Sequence, residues 1–218
     1  MSGKSLKNTQ LYEERFGFKE RNSVFRYCIV LFALFLLVFG TRLYFINTFG
    51  GVYIDGHSMD KTLYDGQRLL MRPVDEEHKA DYGDIIVVYV GDYPEFQEEN
   101  DPDYIIKRLI AKGGDSVYCE GGQVYIKYAG AEEYVPLDEP YAYYRADKNG
   151  YFFHPYTLKE DEVFFLGDNR QDSMDSRYYE GYSRLKDRLY KEEDICGTVP
   201  DWAVKYDGIL GFFFFPSN

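Results

Sequence analysis

Gly83-Asp84-Ile85-Ile86-Val87-Val88-Tyr89-Val90 decides the fold. Four consecutive β-branched residues, bounded by Gly83-Asp84 and Gly91-Asp92, read as a strand too continuously apolar for a half-exposed face. Working outward, Val52-Tyr53-Ile54 forms a short strand running into the Asp55-Gly56 turn, and Gln67 to Met71 forms a second, stopped by Pro73. C-terminal to the deciding strand, an acidic loop (Glu95 to Asp103) leads to a strand around Lys107 that ends at Gly113-Gly114-Asp115. Gly121-Gly122 joins Ser116-Val117-Tyr118 to Gln123-Val124-Tyr125-Ile126 as a hairpin. Glu162 to Leu166 is a further strand. Residues 130–160 are Tyr-rich and irregular, a small cap or a long loop, and Tyr182 to Glu193 has helical spacing, with Leu185 and Leu189 at i, i+4. The apolar tail from Gly211 to Pro216 reads as a buried last strand or a membrane-touching patch. With 23 Tyr and 17 Phe favouring sheet over helical bundle, the expected class is mainly β, with one N-terminal transmembrane helix.

That helix is expected over residues 25–49. Tyr27 to Thr41 carries no charge, and a span of about 20 residues is reached if Arg42 snorkels toward the far interface. A cleaved secretory signal is the alternative, but Leu43, Tyr44, Phe45 and Ile46 follow the apolar core where small residues would mark a cleavage site. Lys4, Lys7, Arg15, Lys19, Arg21 and Arg26 precede the span, and no Lys or Arg follows Arg42 until Lys61. The positive-inside bias therefore leaves residues 1–24 in the cytoplasm and residues 50–218 outside, with a Tyr-rich cap or insertion at about 119–160.

A net charge of −12 argues against a nucleic-acid partner, since phosphate binding needs clustered cations. Cys28, Cys119 and Cys196 lack CxxC spacing, so no metal site is expected; a Cys119–Cys196 disulfide is one option for a body outside the cytoplasm.

Two residues draw a chemical reading. Ser58 follows a strand end, where its hydroxyl needs a base within reach to become a nucleophile. Lys107, between Ile105-Ile106 and Leu109-Ile110, is suited to burial, while strand alternation turns Arg108 to the other face. Bringing a lysine from about 10.4 to 7 or 8 needs roughly 3 to 4 kcal/mol of differential stabilisation, mostly desolvation. The plain alternative is an edge strand with a solvated Lys-Arg pair. His57 adjoins Ser58 along the chain, where its ring has difficulty reaching the hydroxyl, and reads as a solvated or pocket-rim residue. The polar run from Gly167 to Arg177 is a loop or, less well matched in spacing, a cation loop. In it Arg170 and Arg177 are placed to pair with Asp168 and Asp175, and Ser173 to orient a lysine amine.

Taken together, Gly56 to Leu63, Gly83 to Tyr89, Tyr104 to Asp115 and Gly167 to Arg177 resemble, in order, the motifs of bacterial type I signal peptidases; Asp194 to Gly197 is similar to that family's closing strand. The resemblance implies a membrane-anchored serine endopeptidase on the outer side of the cytoplasmic membrane, cleaving signal peptides from exported preproteins without metal or cofactor. It implies Ser58 as nucleophile, Lys107 as general base and Ser173 as the lysine-orienting group. Arg108, Asp168, Asp175 and Arg177 would support the site, and the Ser58 backbone N–H would supply an oxyanion donor. Lysine rather than histidine at the base position fits the bacterial branch. Gly56 stands where some members carry a second donor, a serine, and Lys61 and Gly113 stand where prolines are usual. A non-catalytic accessory that binds exported or pilus subunits is the alternative reading; a self-cleaving repressor-type protease is opposed by the anchor.

Overall fold

The apolar run at residues 83–90 becomes the central strand of a six-stranded antiparallel sheet. The computed structural model of the chain describes residues 3–93, 96, 102–177 and 190–206. Two units are present, residues 1–47 and 48–218.

The first is built on helix α1 (Gly3–Thr48), continuous through Arg42. Its part from Ser23 to Thr48, 26 residues, is long and apolar enough to cross a membrane. At 1.5 Å per residue it extends about 39 Å, against roughly 30 Å of hydrocarbon. Thr41 Oγ1 donates to the Leu37 carbonyl and Asn47 Nδ2 to the Leu43 carbonyl, at 2.8 and 2.7 Å, which satisfies polar groups within the helix itself.

The second unit is strand-rich. Strands β1 (Gly50–Tyr53), β2 (Arg68–Pro73), β3 (Ile85–Tyr89), β4 (Tyr104–Ala111), β9 (Phe164–Leu166) and β10 (Ile195–Val199) form the larger sheet, in the order β1-β2-β10-β3-β4-β9. Strands β5 (Ser116–Glu120), β6 (Gln123–Lys127), β7 (Val135–Pro136) and β8 (Phe153–Thr157) form the smaller, in the order β7-β6-β5-β8. A short helix, α2 (Asp201–Lys205), follows β10. Leu109 and Phe165 enter one buried core with Ile86 and Val88, whereas their neighbours Ile110, Phe164 and Leu166 enter a second with Val117, Val124 and Ile126. Strands β4 and β9 thus serve two cores at once, which is why their sequences are apolar at consecutive positions.

Several expectations change in detail. Strand β2 runs on through Pro73, paired with Gly197 at the strand end, where a missing N–H is tolerated. The hairpin turn has Gly121 at φ 57° and Gly122 at φ 75°, the double positive φ of a type I′ turn. The Tyr-rich region supplies β7 and β8, the latter despite Pro155, because β8 lies at the sheet edge. Cys119 and Cys196 are free thiols, the first buried in the second core. The helical spacing at residues 182–189, the tail 211–216 and most of the acidic loop lie outside the described residues; Glu192–Asp194 forms a short 3-10 turn.

Candidate active site

The loop after β1 is pinned at both ends. Gly56, at φ 100°, a value glycine tolerates best, donates its N–H to Asp65 Oδ1 at 2.9 Å, and Met59 and Leu63 are buried. Asn169, fully buried, reaches across from the polar loop: its backbone N–H donates to the Ser58 carbonyl at 3.0 Å and its Nδ2 to the His57 carbonyl at 2.9 Å. The two chain segments are thereby held face to face.

Lys107 projects from β4 with its Nζ 2.8 Å from Ser58 Oγ and 2.9 Å from the Ile106 carbonyl. It is 4% exposed. Burial pushes its pKa down to about 8, opposed by the charges of Asp175 and Asp168 and assisted by Arg177. A groove of about 410 Å³ opens over the pair, lined by Val52 to Gly56 on one side and Tyr104 to Ile106 on the other, with Val87 beneath. A larger hollow of about 710 Å³ lies among Asp75, Glu160 and Lys191. It contains neither Ser58 nor Lys107.

Behind the pair, ion pairs tie the elements together. Arg108 grips Asp168 with two bonds, Nε to Oδ1 at 2.8 Å and Nη2 to Oδ2 at 2.6 Å, and donates Nη1 to the Gly83 carbonyl. Thr62 Oγ1 donates to the same carboxylate at 2.5 Å, so Asp168 joins β4 to the Ser58 loop. Arg177 grips Asp175 likewise, both bonds 2.6 Å, and Asp175 also accepts the Gly167 N–H at 2.9 Å. Burial alone would raise the Asp175 pKa, but the Arg177 guanidinium and the Gly167 N–H hold it below the usual carboxylate range. The expectation that Arg170 pairs with Asp168 is corrected. Arg108 occupies that carboxylate, and Arg170 instead meets Glu139 at 2.6 Å, a partner distant in sequence. Nor is Arg108 solvated on its own face: the Tyr141 ring covers its guanidinium at 3.9 Å, and the residue is buried.

Ser173 is brought to the floor of the site, packed on Gly167 beside the Ser58 carbonyl, where a Cβ on Gly167 would collide with both. Its buried hydroxyl lies toward the Asp175 carboxylate and helps to hold that group ionised, and the bond expected between Ser173 and Lys107 is not among those described for the lysine. His57 points away from Ser58, exposed and 3.3 Å from Asp60.

Sequence reasoning singled out neither Asn169 nor Thr62, Glu139 and Tyr141. Asn169 and Thr62 lie inside recognised motifs, a signal that was available; Glu139 and Tyr141 sit in a segment without periodicity and gave none. A serine hydroxyl against a buried, readily deprotonated amine, beside an extended groove, can carry out acyl transfer on a peptide strand.

Comparison with known proteins places the chain among signal peptidases. A family model described as signal peptidase, peptidase S26, matches residues 24–201. Signal peptidase I of Bacillus amyloliquefaciens is similar at 28% identity over 178 residues, 78% of this chain and 78% of its own. Signal peptidase I P of Bacillus subtilis subsp. natto is 30% identical over 83% of this chain and 89% of its own length. Signal peptidase I of Bacillus licheniformis is 30% identical over 91% and 92%.

Proposed function

We propose, from the premise that the chain belongs to the signal peptidase family, peptidase S26, that Ser58 and Lys107 are the reacting pair of this signal-peptide-cleaving serine peptidase. One observation carries the reading: Lys107 Nζ lies 2.8 Å from Ser58 Oγ in a buried setting that favours the neutral amine. In that state the amine takes the hydroxyl proton as Oγ attacks the scissile carbonyl carbon. The resulting ammonium returns the proton to the leaving amine as the C–N bond breaks, giving an acyl-enzyme and the released mature chain. A water then gives its proton to Lys107 and attacks the ester, freeing the signal peptide's carboxylate and restoring the Ser58 hydroxyl. The Ser58 backbone N–H stabilises the oxyanion in both steps, an interaction worth about 3 to 4 kcal/mol. Ser173 turns its hydroxyl toward the amine to orient it, while Arg108, Asp168, Asp175 and Arg177 keep the loops in register.

The substrate lies extended in the groove between residues 52–55 and 103–106, adding a strand to open edges, with small residues at the first and third positions before the cleaved bond. Residues 25–49 anchor the enzyme in the bacterial cytoplasmic membrane, residues 1–24 inside and the body from residue 50 outside, on the surface where exported chains emerge. No cofactor is needed for this chemistry. Incubating a detergent-solubilised preprotein with the wild type, Ser58→Ala and Lys107→Ala tests the reading; variants that process as fast as the wild type would sink it.

A further inference from the structure

Six charged side chains gather behind Ser58 and Lys107, none more than 15% exposed: Arg108 with Asp168, Arg177 with Asp175, and Arg170 with Glu139. Three cations meet three carboxylates, and the balance closes only through Glu139, which comes from the Tyr-rich segment rather than from a recognised motif. The segment is fastened where this matters. Tyr143 donates its N–H to the Asp168 carbonyl at 2.7 Å and accepts that of Arg170 at 2.9 Å, and Tyr141 stacks on the Arg108 guanidinium. Arg170 in turn holds the loop: its Nε donates to the Gly167 carbonyl at 3.0 Å, and its own carbonyl accepts Arg177 Nη1 at 2.6 Å.

We propose that Glu139 is a positioning residue of the reaction, its carboxylate cancelling the third buried guanidinium and thereby setting the pH at which Lys107 becomes a base. This rests on the Ser58–Lys107 reading above. The groups facing Lys107 are Asp168, Asp175 and Arg177 of the polar loop, with Arg108 beside it on β4. Those facing the Glu139–Arg170 pair are Tyr141, Tyr144 and Tyr151, Cys119 of β5, and Arg177. Neutralising Glu139 leaves one net positive charge inside this cluster. An added cation disfavours a neighbouring ammonium, so the free amine would persist to lower pH. Loss of Glu139 as a mere strut does the reverse: a loosened site admits water, which favours the ammonium and moves the transition upward.

The direction of the shift separates the two. The full-length enzyme in detergent micelles is assayed for kcat/KM against pH on a peptide spanning a signal cleavage site. For Glu139→Gln the rising limb is expected to move down by on the order of half a pH unit, the size of one charge acting through a partly screened interior. Glu139→Asp keeps the charge and the wild-type limb at a reduced rate. Glu139→Gln with Arg170→Gln, neutral as a pair, brings the limb back. An unmoved or upward limb in Glu139→Gln overturns the proposal, as does an equal shift in Glu139→Asp; should Glu139→Gln not fold, a displaced limb in the double variant overturns it. Lys107→Ala in the same assay keeps the two readings apart: wild-type activity there sinks the pair itself, whereas an inactive Lys107→Ala with an unmoved Glu139→Gln limb sinks only the role of Glu139.

Discussion

On the reading that Lys107 is the general base, its titration governs the reaction. Burial takes its pKa from 10.5 down to about 8, so kcat/KM should rise with pH through that region as the free amine accumulates. The same shift acts on stability. Between pH 8 and 10.5 the unfolded chain holds the proton more often than the folded one, so the lysine's contribution to stability rises with pH across that window. Lys107→Met should therefore stabilise the fold below pH 8, by up to about 3 kcal/mol, and give no such gain above 10.5. Urea unfolding at pH 7 and pH 9.5 reads the difference. Ser173 gives a second contrast. Its hydroxyl only adds to an Asp175 carboxylate already held by the Arg177 fork and the Gly167 N–H, so Ser173→Ala should move the urea midpoint only slightly. If the hydroxyl turns onto the amine during reaction, kcat falls by about tenfold, the worth of one hydrogen bond; unchanged kcat removes that role. Lys61 stands where the motif resemblance would place a proline. It sits at φ 79°, its amine over the Tyr143 ring, whereas proline is held near −65°. The proline that the motif resemblance would place there does not fit this backbone. Lys61→Gly should gain about 1 kcal/mol by relieving the left-handed conformation, and Lys61→Pro should lose stability and displace Thr62 from Asp168.

At the scale of elements, the strand assignments at residues 85–89, 104–111 and 116–127 were legible because β-branched runs and Gly-Gly punctuation are local signals. Strand β8 was not. His154 and Pro155 interrupt its pattern, and its existence depends on β5 offering an edge to pair with. Gly113, the other position where the motif resemblance would place a proline, has the same kind of explanation. A Cβ there would run into the Glu160 backbone, so the turn after β4 and the segment before β9 are matched to each other. Gly113→Ala is expected to cost on the order of 2 to 3 kcal/mol, an overpacking penalty against backbone that cannot rotate aside. A thermal midpoint equal to wild type would show that the two segments separate freely.

For the whole molecule, the division into an apolar helix and a strand-rich body makes membrane and chemistry separable tasks. If residues 25–49 hold the enzyme on the surface where preproteins emerge, confinement raises the effective concentration of the two partners. Replacing that helix by a soluble tag should slow processing of a membrane-inserted preprotein by about 100-fold or less, while cleavage of a short soluble peptide stays within a few-fold of wild type. Equal losses on both substrates would mean that the helix serves the fold of the body instead. The apolar span, the strand-rich class and the Ser58 and Lys107 motifs are legible in the amino-acid order alone. Each is written in contiguous residues whose periodicity, turn chemistry or spacing is local. Which carboxylate answers which arginine, that Asn169 and Thr62 clamp the Ser58 loop, and that Glu139 and Tyr141 join the ion-pair cluster emerge from the packed fold. Those pairings are chosen by burial, since a guanidinium removed from water takes whichever carboxylate the packed elements bring to it. That choice depends on distances no local pattern records.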